Sequence, residues 1–463
     1  MIHDTLDTST TIVAPATASG GAVVVVRLSG RRAIEIADRM YRGRCRLSDA
    51  AGYTLHYGRI VDGRECTIDD VVVALFRAPH SYTGDDTVEI TLHGSEYISS
   101  EVLRLAIDYG AVMATPGEFT RRAFLAGKMD LSRAEAVADI IAADSKWSHN
   151  VASTQMRGGY SARLAELRDE LLRLCSLLEL ELDFSEEDVE FADRTTLRAV
   201  LDKVEKQITT LTSSFALGNA LKNGVNVAII GKPNVGKSTL LNALVEEDRA
   251  MVSAIAGTTR DTIEATATID GVRFRFIDTA GIHATADTLE QMGINRTHRT
   301  IANASIILHL ATADDPTFED VAHDTRQRYI RVINKIDTIE SLDNTASTNG
   351  NNLTTMRSND NALRISARNG YGIDALRQHL RSAIETSTLG TGSVVVSNMR
   401  HYAALTKAHE ALEDTLRAMN AGLPSDLLSE DIRRILHHLG EITGEITSDD
   451  ILHSIFSKFC IGK

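Results

Sequence analysis

Apolar residues change their spacing several times along this chain, and each change marks a different kind of element. Between Ser161 and Leu182, leucines fall at positions 164, 167, 171, 174 and 178, the three-four alternation of one continuous helical stripe. Leu197, Val200, Leu201, Val204, Ile208 and Leu211 repeat it and predict a second long helix. Helical spacing returns after Val394, through Ala403 to Met419, Ser429 to Leu439 and Asp449 to Phe459. Between these stretches, from Asn226 to about Glu385, short apolar runs alternate with helical patterns as in a parallel, helix-flanked sheet. Strands are expected at Val225 to Ile230, Val272 to Ile277, Ile306 to Leu310, Ile330 to Ile333 and Leu363 to Ile365. Nearer the N-terminus, Ala22 to Leu28 reads as a strand leaving a Gly-rich turn. Alternating signals through Ile34 to Met40, Tyr53 to Ile60 and Asp70 to Phe76 predict a compact α+β unit. Leu131 to Ile141 is helical in pattern, with Ser132 as the expected N-cap and Glu135 as its capping-box partner.

At 463 residues the chain exceeds the roughly 250–300 at which single cores stop growing, so several domains are expected. The order of patterns predicts an α+β N-terminal domain over 1–124 and a discontinuous α-helical domain over 125–220 and 386–463. An α/β P-loop domain over 221–385 is inserted between the helical segments. Two polar stretches interrupt this plan. The acidic run Glu186 to Glu190 reads as a solvated connection, and Thr338 to Asn361, rich in Ser, Thr and Asn, reads as a surface insertion.

Charge narrows the function. Lys and Arg number 49 against 63 Asp and Glu, a formal net charge of −14, which argues against a broad basic surface for sequence-independent nucleic-acid binding. No run approaches the roughly 18 apolar residues of a membrane span, and Met1 to Thr11 is polar, so a soluble cytoplasmic protein with no membrane partner is expected. The cysteines Cys45, Cys66, Cys175 and Cys460 lack metal-ligand spacing, which disfavours a disulfide framework or structural zinc.

The chemistry sits between the first two inner strands. Gly231-Lys232-Pro233-Asn234-Val235-Gly236-Lys237-Ser238 fits the P-loop pattern, with an apolar strand before it and helical spacing from Thr239 after it. Its backbone N–H groups can wrap a polyphosphate, Lys237 can reach the terminal phosphates and Ser238 can ligate Mg2+. Asp278-Thr279-Ala280-Gly281 ends a strand where an aspartate can hold the Mg2+ shell and a glycine N–H can meet the γ-phosphate. Asn334-Lys335-Ile336-Asp337 ends a later one. A carboxylate there accepts paired hydrogen bonds from guanine that adenine cannot donate, and Ser366-Ala367 supplies a backbone N–H for guanine O6. GTP is the expected substrate. Gly257-Thr258-Thr259 lies where a switch threonine completes the Mg2+ shell, and Thr259 is favoured. Ile282 follows Gly281, so the glutamine that orients water in many GTPases is missing. Asn234, with oxygens from the loop before Gly257, is expected to bind K+ there and supply positive charge. Ser253, Ile255 and Thr258 complete that K+ set, and Ala254 and Ala256 share the nucleotide-facing loop.

These motifs, together with PHSYTGDDTVEI, TPGEFTRRAFLAGKMDLSRAEAVADII and the terminal Phe459-Cys460-Ile461-Gly462-Lys463, resemble the MnmE (TrmE) family over nearly the whole chain. The resemblance implies a homodimer formed through a folate-binding N-terminal domain and a K+-dependent, Ras-like GTPase domain. It also implies a heterotetramer with the flavoprotein MnmG that installs aminomethyl or carboxymethylaminomethyl groups at C5 of the wobble uridine of certain tRNAs, contacted largely through the partner. The one-carbon unit would come from 5-formyl- or methylene-tetrahydrofolate. By the same resemblance Glu290 orients catalytic water, Cys460 is functionally required, and Arg27, Glu89, Lys128 and Lys463 form the folate site. Two departures stand out: His283 where arginine is usual, and an N-terminal turn without Pro-Gly-Arg. The alternative is a ribosome-assembly GTPase that binds RNA, although the acidic helical flanks lack the basic module this requires.

Overall fold

The structure, a computed structural model, describes residues 9–18, 20–183, 194–245, 264–278, 300–324, 327–338, 362–383 and 394–462. Residues 253–259, 279–281, 290 and 463, the acidic run and nearly all of the 338–361 insertion therefore lie outside the described residues. Two compact units divide the chain. One comprises Met1–Ile141, Gln155–Glu205 and Ala404–Lys463; the other comprises Ala142–Thr154 and Lys206–Ala403.

In the first unit, β1 (Ile12–Pro15), β2 (Val23–Ser29), β3 (Tyr41–Gly43), β4 (Thr54–Val61), β5 (Thr67–Phe76), β6 (Thr87–His93) and β7 (Val112–Met113) form one mixed sheet. Its order is β3-β4-β5-β6-β2-β1-β7. Val24, Val26 and Leu28 alternate inward on β2 and pack with Ile36, Ala37, Leu105 and Ala106, borne on α1 (Ala33–Met40) and α2 (Glu96–Asp108). The antiparallel register of β2 and β6 sets Arg27 opposite Glu89. Helices follow: α3 (Glu118–Leu125), α4 (Leu131–Ala142) and, after α5 (Lys146–Met156), most of which belongs to the second unit, α6 (Gly159–Asp183). The leucine stripe of α6 is buried, and α6 packs along the helix Ser425–Thr443.

The N-cap of α4 is Asp130, two residues earlier than the expected Ser132. Asp130 Oδ1 accepts from the N–H of Arg133 at 2.9 Å, whereas Ser132 is fully buried inside the helix and donates its hydroxyl to Asp130 Oδ1 at 2.7 Å. The helix begins at Leu131, so the backbone path puts Asp130 at the N-cap and leaves Ser132 inside the first turn.

In the second unit, α7 (Arg194–Ser213) continues from the first, and α8 (Phe215–Asn223) leads into β8 (Val225–Gly231) and α9 (Lys237–Val245). With β9 (Glu264–Ile269), β10 (Val272–Asp278), β11 (Ile306–Thr312), β12 (Arg328–Asn334) and β13 (Ala362–Arg364), β8 forms a sheet of order β13-β12-β11-β8-β10-β9. All neighbours are parallel except β9, which pairs antiparallel with β10. The parallel, helix-flanked sheet expected from the sequence is present, with one antiparallel edge strand, β9, added to it. Glu-Ala-Thr-Ala-Thr-Ile is too weakly apolar to read as a strand, and it forms at the edge because the tight Asp270-Gly271 turn folds it back on β10. That turn rests on Trp147 of α5, and Arg273 pairs with Asp144. Among the described residues no helix is long and apolar enough to cross a membrane.

Candidate functional site

The apolar run of β8 is buried on both sides and ends at Gly231, whose φ of 142° and closeness to the Leu310 carbonyl exclude any side chain: a Cβ would sit 2.3 Å from that oxygen. The chain then turns through Asn234 at φ 64°, a left-handed conformation asparagine tolerates, and Gly236 at φ 96° before α9 begins at Lys237. Strand, loop and helix thus present backbone N–H groups at a helix N-terminus, as phosphate binding requires. Lys237 is buried, and its Nζ donates to the carbonyls of Gly231 at 2.6 Å and Lys232 at 2.9 Å. The ammonium is therefore held folded over the loop. Ser238 and Thr239 follow in the first turn of α9.

The Ser366-Ala367 loop is tied to the P-loop by Asn334, 2% exposed at the end of β12. Its Nδ2 donates to Val235 O at 2.9 Å, and its Oδ1 accepts from Ala367 N–H at 3.0 Å. One amide thereby fastens the P-loop to the Ser366-Ala367 loop. A Cβ on Gly236 would come within 2.4 Å of the same Nδ2, so that glycine is fixed by packing as well as by φ. Lys335 adopts φ 61°. Asp337 accepts from Ser366 Oγ at 2.6 Å, and this hydrogen bond, before all other causes, holds its carboxyl below the usual aspartate range. Asp278 closes β10. The expected residues of the P-loop, Asn334 to Asp337 and Ser366-Ala367 are thus brought to one edge of the sheet, at the C-terminal ends of its parallel strands.

Sequence reasoning missed one partner here. Lys232 Nζ donates to Asp315 Oδ2 at 2.6 Å and to Thr317 Oγ1 at 3.1 Å, bracing the ascending arm of the P-loop against the segment after β11. A cavity of about 250 Å³ lies beside it, lined by Lys232, Asn234, Lys335 and the buried His309 among others. Burial pushes the His309 imidazole down from its ordinary value.

In the first unit, Arg27 Nε donates to Glu89 Oε1 at 2.8 Å, and Arg27 Nη1 donates to the carbonyl of Gly462 at 3.2 Å. The guanidinium lies 5.8 Å from the ring centre of Tyr82 and 5.5 Å from that of Phe119. Residues far apart in sequence therefore meet around one cation. The C-terminal tail is seated by backbone: Gly462, at φ 96°, has no room for a Cβ, which would stand 2.1 Å from Pro15 O, and Gly117 N–H meets Cys460 O at 3.5 Å. Cys460 is exposed. Lys128 Nζ donates to Pro79 O, at the loop that carries Tyr82. Tyr82, Phe119 and Gly462 carry no signal of their own in the sequence, although all three lie inside the motifs that carry the family resemblance.

A largely parallel sheet with a P-loop, and with an asparagine, an aspartate and a serine-alanine loop gathered at the C-terminal ends of its strands, is the arrangement of the P-loop GTPase class. A family model described as the MnmE helical domain matches residues 131–460, and one described as the GTP-binding protein TrmE N-terminus matches residues 11–128. The tRNA modification GTPase MnmE of Bacteroides fragilis is 48% identical over 468 aligned residues, covering 98% of this chain and 99% of its own. That of Bacteroides thetaiotaomicron is 47% identical over 469, with the same coverage. Among solved structures, Era of Aquifex aeolicus bound to GDP and AlF4− is 24% identical, covers 40% of this chain and 66% of its own, and has a TM-score of 0.24. The chain belongs to the MnmE family.

Proposed function

We propose that this chain is the GTP-hydrolysing subunit of a tRNA wobble-uridine modification enzyme. In this reading it acts with the flavoprotein MnmG to add an aminomethyl or carboxymethylaminomethyl group at C5, using a one-carbon unit from a tetrahydrofolate derivative. The observation that carries the reading is the cluster of Arg27, Glu89 and the Gly462 carbonyl between two aromatic rings, in a chain similar throughout its length to tRNA modification GTPases. Both short contacts from the Arg27 guanidinium go to Glu89 Oε1, and Oε2 has no partner among the described residues. A half-buried carboxylate with a free oxygen, beside aromatic faces and a guanidinium, suits the amidine-like edge of a pterin and the anionic tail of a folate. Arg27, Glu89, Lys128 and Lys463 would hold that group, which would supply the one-carbon unit when bound.

In the nucleotide unit, Lys237 would neutralise the terminal phosphates, Ser238 and Thr259 would hold Mg2+, and Asn234 with Ser253, Ile255 and Thr258 would hold K+. Glu290 would orient the attacking water in place of the missing glutamine. The homodimer would form through the N-terminal domain. Supporting this, Leu55 and Tyr57 on β4 and Val72 on β5 are exposed at 73%, 72% and 39%, and register places Tyr57 opposite Val72.

The deciding experiment is mass spectrometry of nucleosides from bulk tRNA in cells with and without the chain. Loss of 5-aminomethyl-type uridines is expected. Unchanged uridines with accumulating ribosome precursors would overturn the reading in favour of an assembly GTPase. Turnover measured in K+ and in Na+ at matched ionic strength tests the cation, with equal rates excluding its role.

A further inference from the structure

We infer that Cys45 is a base-activated thiol, a modification site on the N-terminal unit that takes small disulfides and alkylating electrophiles, anionic ones preferentially. Cys45 is exposed in the connection between β3 and the short turn Leu47–Asp49, and its Sγ lies 3.6 Å from His56 Nδ1 on β4. The neighbouring bonds determine the direction of the proton. Thr54 spends its one hydroxyl proton on the Ala51 carbonyl at 2.6 Å. His56 Nε2, 2.7 Å from the same hydroxyl oxygen, must therefore be the donor to it. In the neutral ring Nδ1 is then an acceptor, and it faces the thiol.

The result is a Cys–His–Thr relay in which the imidazole is oriented by a third group, the arrangement that activates a nucleophilic sulfur. Exposed Arg44 precedes Cys45 in the chain and favours an anionic reagent, whereas Arg46, which follows it, is paired with Asp38 at 3.8 Å. His56 lies on the opposite face of β4 from Leu55 and Tyr57, since successive side chains alternate, so the relay does not share the apolar patch. Neither residue belongs to the nucleotide cradle or to the Arg27 cluster.

In exchange with a disulfide RSSR, the Cys45 proton passes to His56 Nδ1 and the thiolate attacks one sulfur. A new S–S bond forms as the old one breaks, and RS− leaves and recovers the proton as RSH. One disulfide is consumed and one is made.

Cys66 is the internal control. It is also exposed, but among the described residues the partner of its sulfur is the Arg64 carbonyl, at 4.0 Å, and not a base. The test is limited reaction of the full chain with iodoacetamide, iodoacetate and glutathione disulfide near neutral pH, read by peptide mass spectrometry. Cys45 should react at least about fivefold faster than Cys66, with a larger preference for iodoacetate. His56→Gln should bring Cys45 to the rate of Cys66. Thr54→Val keeps the imidazole but removes the acceptor that sets its tautomer, and should lower the rate part of the way. If His56→Gln does not fold, the Thr54 variant decides. Equal rates at Cys45 and Cys66 in the natural chain, or a Cys45 rate unmoved by the variants that fold, would overturn the proposal.

Discussion

The nucleotide cradle and the Arg27 cluster hold their side chains in opposite ways. In the cradle the polar groups satisfy one another and the backbone: Lys237 on the Gly231 and Lys232 carbonyls, and Asn334 between Val235 and Ala367. Its shape is set by local turns and by hydrogen bonds that do not involve a ligand. In the Arg27 cluster, charges meet through long-range packing. Arg27 reaches Glu89 across a strand pair and Gly462 at the far end of the chain. The first site is a braced frame; the second is a set of charged and aromatic groups with an open carboxylate oxygen. Substitutions should therefore separate them cleanly, and the size of each effect should follow how many buried partners are stranded.

Asn334→Ala should give the largest effect. It leaves a buried carbonyl and a buried N–H unpaired, at a cost of about 2–4 kcal/mol for the two together. At about 1.4 kcal/mol per tenfold, GTP affinity should fall roughly 100-fold. Fluorescent-nucleotide titration would measure this, with 5-formyl-tetrahydrofolate binding unchanged in the same variant. A parallel loss of both would mean that the two sites are not independent.

Glu89→Gln is the converse, and somewhat smaller. It keeps the shape but removes the charge that pairs with Arg27 and would face a pterin, so folate affinity should fall roughly tenfold or more by equilibrium binding, while GTP turnover stays as it was. Gly462→Ala sharpens the same point from the other side. Its Cβ cannot fit beside Pro15 O, so the tail should be displaced and folate binding weakened without any change to charge.

This contrast also explains what could be read from the sequence. Gly231 to Ser238, Asn334 to Asp337 and Ser366-Ala367 are legible because each is a short run of fixed residue types at a strand end, even though Asn334 then reaches across the sheet to Val235 and Ala367. Tyr82, Phe119 and Gly462 were hidden because their role depends on which distant residues the sheet brings together, and an aromatic or a glycine has no spacing that announces this. The same limit applies to β9, whose pairing comes from a turn rather than from its own apolar content. It applies to the cap of α4 in a milder form: both Asp130 and Ser132 can cap, and only the backbone path decides between them.

The contact between Ser366 and Asp337 also makes a pH prediction. Ser366 Oγ donates to Asp337 and lowers its folded-state pKa, so the ionised form is present above the ordinary aspartate value of about 3.9 and is lost only as pH falls through the lower folded value. Guanine affinity should therefore be insensitive to this group between neutral pH and about pH 5. In Ser366→Ala the titration of the Asp337 carboxyl carbon, followed by NMR, should move upward. An unmoved titration would show that the hydroxyl does not set the charge.

The smallest effect should come from Lys232→Ala. Lys232 and Asp315 are 2.6 Å apart, but their side chains are 44% and 49% exposed, and exposed ion pairs are weakened by water, by salt and by the entropy of holding two long side chains. Asp315 raises the lysine pKa above its ordinary value, so the pair is fully formed at neutral pH and its loss cannot be mistaken for a protonation effect. The carbonyl of Lys232 still receives Lys237, which the substitution leaves in place. Nucleotide release should accelerate by only about twofold, and the difference should vanish at high salt, where surface pairs are screened. A larger acceleration that persists in salt would mean that the arm of the P-loop is held from outside. The cradle would then be less self-contained than its internal hydrogen bonds make it, and closer in kind to the Arg27 cluster.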